Sequence, residues 1–84
     1  MTLETLAKLP HVTGTKQVAK AVSKGKAVCV FVASDADGHV TQPLKELCGE
    51  TGIELVETAT MAELGRACSI EVGSAAAAAL AENR

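Results

Sequence analysis

At 84 residues the chain is too short for two ordinary domains and long enough for one core, with roughly 60–65% of its unfolded surface buried on folding. A single domain over residues 1–84 is expected, and a large cleft between lobes is excluded. No run approaches the roughly 18 apolar residues that cross a bilayer, and Met1-Thr2-Leu3-Glu4 lacks a basic-then-apolar signal pattern, so a soluble cytoplasmic protein is expected. Cys29, Cys48 and Cys68 are odd in number and widely spaced, which predicts free thiols in a reducing compartment and neither a disulfide framework nor a zinc site. Phe31 is the only aromatic residue, so a multi-ring platform for stacking RNA bases is excluded.

The net charge of −2 conceals an asymmetry. Residues 1–34 carry Lys8, Lys16, Lys20, Lys24 and Lys26 against Glu4 alone, whereas residues 35–84 carry Lys45, Arg66 and Arg84 against nine acids. A basic half can draw an anionic partner to one face while the molecule stays acidic overall.

Thr2 is placed to cap a short helix with Leu3, Leu6 and Leu9 at three-residue spacing, and Pro10 stops it. After His11-Val12-Thr13-Gly14 a second helix runs from about Thr15 to Gly25, with Val18, Ala21 and Val22 as its core face. Lys16, Lys20 and Lys24 form another face at i, i+4 and i+8. Ala27 to Ala33 is a continuous, β-branched apolar run, the pattern of a central strand covered on both sides. A third helix, with Val40, Leu44, Leu47 and Cys48 on one face, is expected from about Thr41 to Gly52, because Pro43 is tolerated only in a first turn. Ile53 to Thr58 reads as a second strand, and Thr60 and Glu63 form a capping box for a helix through Cys68. Residues 72–81 are ambiguous. Five alanines after Ser74 favour a helix by propensity, yet small side chains also suit a strand that helices approach closely. The alternation of helices and strands predicts an α/β fold with helices on both faces of a sheet.

Catalysis finds no team of residues. His11 and His39 fall beside loops, Asp35 and Asp37 read as helix-entry caps more readily than as metal ligands, and the glycines form no nucleotide-binding loop. No metal or cofactor is expected. Gly14-Thr15-Lys16-Gln17 opens a helix, where free N–H groups and the positive end of the dipole attract phosphate. Lys16 and Lys20 flank that opening, and Gln17 supplies both a donor and an acceptor for a base edge. A merely solvated lysine face has the same spacing.

Three segments in order carry a resemblance. Gly14-Thr15-Lys16-Gln17-x-x-Lys20, then Val32-Ala33-Ser34-Asp35-Ala36-Asp37, then Leu64-Gly65-Arg66-Ala67-Cys68-x-Ile70-x-Val72-Gly73 closely resemble the kink-turn RNA-binding ribosomal-protein family, above all its small stand-alone bacterial members. The match runs from about Leu6 to Leu80. It implies a three-layer α/β/α sandwich around a four-stranded mixed sheet, with the alanine run as the last strand. It further implies a non-enzymatic protein that binds kink-turns, ribosomal RNA among them, and holds the crowded phosphates of the bend with basic side chains. The implied partner is structured RNA, met by a monomer, with neither DNA nor a membrane involved.

By the same resemblance the family's G-x-N-E-x-x-K motif falls on Gly14, Thr15, Lys16, Gln17 and Lys20, which would contact guanine edges and phosphates. Ile70, Glu71 and Val72 would form a second RNA loop, packing apolar side chains over bulged nucleotides, although Ile70 and Val72 would also serve as core residues. Thr60-Met61 stands where the family often has Ser-Lys, and Gly38 where a proline is common. With the acidic total charge, these departures imply weaker and more salt-sensitive binding. The other reading is a protein-interaction adaptor that acts through the acidic half.

Overall fold

Thr2 opens the first helix by accepting a hydrogen bond from the Thr5 amide, and Leu6, fully buried, fixes that helix to the sheet. The computed structural model describes residues 1–57 and 59–81. Along it run α1 (Leu3–Lys8), β1 (His11–Thr13), α2 (Thr15–Ser23), β2 (Ala27–Val32), α3 (Gly38–Thr51), β3 (Glu54–Val56), α4 (Met61–Ala67) and β4 (Ala76–Leu80). The strands form one mixed sheet in the order β1-β4-β2-β3. The outer pair β2–β3 is parallel, and β4 is antiparallel to both β1 and β2.

Side chains on successive strand residues point to opposite faces, and this alternation divides the core in two. Val30 and Val32 of β2 and Ala76 and Ala78 of β4 meet Val18, Ala21 and Val22 of α2 and Leu44 and Cys48 of α3. On the other face Cys29, Phe31, Ala77 and Ala79 meet Leu6 of α1 and Leu64 and Cys68 of α4. The result is the three-layer sandwich. Burying Leu6, Phe31 and Leu64 contributes roughly 1.5–3 kcal/mol each. All three cysteines are buried and free, and burial pushes the Cys29 thiol up to about 11, well away from reactive thiolate.

The alanine run is a strand, as the resemblance implies and against its helical propensity. Ala76 to Ala79 are wholly buried between β1 and β2, with helices closing on both sides. Packing in the middle of a sheet outweighs a propensity of well under 1 kcal/mol per residue. Val28 is an extra residue in the β2 ladder. The register slips between Ala27 and Cys29, which leaves Val28 exposed and sends its two neighbours to opposite layers.

Some boundaries differ from expectation. The third helix begins three residues earlier, at Gly38, because Asp37 caps it through the His39 amide (2.8 Å). Pro43 therefore lies in the second turn and not the first. Its missing N–H withdraws the bond to the His39 carbonyl, which an exposed helix face lets water satisfy. Thr41, not Val40, then points into the core. The second helix ends at Ser23, with Gly25 at φ +71 just beyond. The short strand β1 has no counterpart in the residue-level reading, and the second strand is shorter than expected, Glu54–Val56. Thr58 lies outside the described residues.

Candidate nucleic-acid interface

The α2 opening is built by Gly14. At φ +92 it turns the chain from β1 into the helix in a conformation that a side chain would strain. Its carbonyl accepts the first helical bond, from the Val18 amide, and its own N–H donates to the Ala76 carbonyl (3.0 Å). No side chain caps the helix and its first turn holds no acid, so the amides of Thr15, Lys16 and Gln17 are left for an outside acceptor. Lys16, Gln17 and Lys20 are exposed, and with Ala19, Ser23 and Lys24 they line a shallow concavity of about 520 Å³. Among the described residues none of these lysines pairs with a carboxylate. Their charge is available to phosphate.

The segment 69–75 between α4 and β4 is held differently. Ser69 leaves α4 at φ +60, and the Ile70 amide returns to the Gly65 carbonyl (3.0 Å). Gly65 lies directly beneath the loop, where a β-carbon would collide with the Val72 carbonyl, and Gly73 packs against Met61 with little space to spare. The Ser74 amide donates to the Met61 carbonyl (3.1 Å), while its buried hydroxyl donates to the Ala76 carbonyl (2.6 Å). Thus anchored at both ends, the loop presents Val72 at 71% exposure, exposed Glu71 and half-buried Ile70. Val72 is not a core residue. Ile70 lies between the two readings.

The two segments meet at one end of the sheet. Thr13 pairs with Ala77, the Gly14 amide extends that ladder to Ala76, and Val32 also pairs with Ala76. The C-terminal ends of β1 and β2 therefore lie beside the start of β4, and the eight expected site residues flank that junction. Glu71 on the loop is exposed, whereas three other carboxylates nearby accept backbone amides. Asp37 takes the His39 amide, Glu63 the Thr60 amide of the capping box, and Asp35 the Met61 amide (2.8 Å).

At this rim Arg66 is given no role by the sequence, and Asp35 reads from it as a helix-entry cap. Arg66, in the last turn of α4, lines a hollow with Ile70, Glu71 and Val72 and has no ion-pair partner among the described residues. Asp35 reaches across to α4 instead of capping the helix that follows it. Arg66 sits four residues before Ile70, a spacing that marks it once the helix end is known, whereas the Asp35 contact spans 26 residues and leaves no local signal. His11 and His39 do not join a catalytic group: the His11 ring bonds the Leu9 carbonyl, and His39 is exposed at the start of α3. Among the described residues no cluster of three or more His, Cys, Asp or Glu is arranged to hold a metal. No helix among them is long and apolar enough to cross a membrane.

Comparison with known proteins decides the family. Residues 5–84 match the model of the ribosomal protein L7Ae/L30e/S12e/Gadd45 family. The chain belongs to this family. An RNA-binding protein of Caldanaerobacter subterraneus is 50% identical over 68 residues, which cover 81% of this chain and 83% of that one. The large ribosomal subunit protein eL8 of Halobacterium salinarum is 48% identical over 69 residues, 81% of this chain and 58% of its own greater length. A 15.5 kD RNA-binding protein of Giardia lamblia superposes with a TM-score of 0.86 at 29% identity, over 96% of this chain and 69% of that chain. The α/β/α sandwich is thus the L7Ae-family fold in both sequence and structure.

Proposed function

We propose that this L7Ae-family protein binds structured RNA without catalysing a reaction, and that its target is the kink-turn. The observation that carries the reading is the junction at Ala76, whose carbonyl holds both the uncapped, lysine-lined opening of α2 and the anchor of the exposed Val72 loop. One element suits phosphates and guanine edges; the other suits unpaired bases turned out of a duplex. A kink-turn offers both within a short span. In this account Gly14 and Thr15 shape the entrance, Lys16 and Gln17 face the guanines of the G·A pairs, and Lys20 takes a phosphate or a guanine edge. Ile70, Glu71 and Val72 lie over the bulge. The relatives, RNA-binding proteins and a ribosomal subunit protein, support RNA as the partner and a place on or near ribosomes in the cytoplasm.

The test is a titration of an end-labelled kink-turn RNA by energy transfer, run beside the same RNA with its G·A pairs replaced. The reading expects saturable bending of the first and weak, nonspecific binding of the second. Equal response from both RNAs contradicts it, as would retention on a protein partner with no response from either.

A further inference from the structure

The two halves of the interface are joined by a chain of hydrogen bonds with one exposed link. Asp35 lies three residues past β2, and its Oδ1 accepts the Met61 amide at 2.8 Å. Met61 is the first residue of α4, and its carbonyl accepts the Ser74 amide at 3.1 Å while Gly73 packs against the same carbonyl. The Ser74 hydroxyl donates to the Ala76 carbonyl, which also takes the Gly14 amide. From the β2 terminus the path therefore reaches the α4 start, the loop, and the opening of α2. Every link except Asp35 is main chain or a buried hydroxyl. Asp35 alone is an exposed side chain that can be removed without opening a cavity.

We propose that Asp35 is a positioning residue. It fixes where α4 begins, and with it how far the Val72 loop stands from the lysine entrance, so it sets the preference for a bulged over an unbulged RNA. This rests on the RNA-binding reading above. Phosphate contacts made by Lys16 and Lys20 do not pass through Asp35, so the number of phosphates they neutralise is unaffected. The helix α4 keeps its own capping box and its buried Leu64, and the variant folds.

The experiment compares the parent, Asp35→Ala and Asp35→Asn, the last of which retains an acceptor oxygen. Amide hydrogen exchange is read at Met61 and Ser74 in the free protein, and affinity is read for a kink-turn RNA and the same RNA lacking its bulge. In Asp35→Ala, exchange at both amides rises about tenfold and the affinity ratio falls about fivefold, the range of one lost hydrogen bond. The salt dependence of binding stays that of the parent. Asp35→Asn restores both readings. Unchanged exchange in Asp35→Ala overturns the proposal, as does faster exchange with an unaltered affinity ratio. Asparagine behaving like alanine also overturns it, by assigning the effect to charge. If the parent distinguishes neither RNA, the function above fails together with the preference assigned to Asp35, and exchange alone still decides whether Asp35 holds the loop.

Discussion

The opening of α2 and the loop 69–75 lie at the same end of the sheet but are made by opposite means. The first is regular structure: a glycine turn, an uncapped helix, and lysines repeating every four residues. It needs no precise neighbour, and its attraction is electrostatic and long-ranged. The second is irregular and depends on contact, with Gly65 beneath it, Gly73 against Met61, and a buried serine tying its end. On the proposed function, affinity for any phosphate backbone then belongs to α2, and selection of a particular RNA shape belongs to the loop. The two contributions should be separable by mutation.

Gly65→Ala strikes the loop hardest. The added methyl meets backbone at Val72 and Gly73, which no rotamer change relieves, so a loss of about 3 kcal/mol is expected from the urea midpoint. Bulge discrimination should fall with it while salt dependence persists. Lys20→Ala does the reverse. It should weaken a kink-turn complex by about 1–3 kcal/mol and lower the slope of log K against log salt by about one, leaving stability unchanged. A gel shift series over salt checks both. Val72→Ala should cost about 1 kcal/mol on the bulged RNA alone, with a melting temperature like the parent's because the side chain is mostly exposed. An equal loss on both RNAs would erase the proposed division. Ser69→Gly relieves the left-handed φ of +60 and should raise stability by about 0.5 kcal/mol without altering RNA preference.

Much of the molecule could be read from its residues because the signals were local. The Thr2 cap, the Thr60/Glu63 box, the β-branched run of β2 and the Val18-Ala21-Val22 face of α2 each depend on neighbours a few positions away. What escaped was decided at a distance. Nothing local marks β1, a three-residue strand that exists because β4 pairs with it. Helix propensity points the wrong way at Ala76–Leu80, where small side chains left a strand open and the resemblance to relatives decided for it. Pro43 suggested a late start for α3, and Asp37 overrode it with a cap. The same contrast holds in the site. The lysine spacing was visible in the sequence, whereas the meeting of Gly14 with Ala76, the support of the loop by Gly65, and the reach of Asp35 to Met61 all require the folded chain.

The most direct test of this account maps backbone amide shifts while a kink-turn RNA is added at moderate salt. Perturbations are expected over residues 14–24 and 69–73, with the acidic positions Glu46 and Glu50 of α3 silent. Shifts centred on those glutamates, or none in either predicted segment, would contradict it.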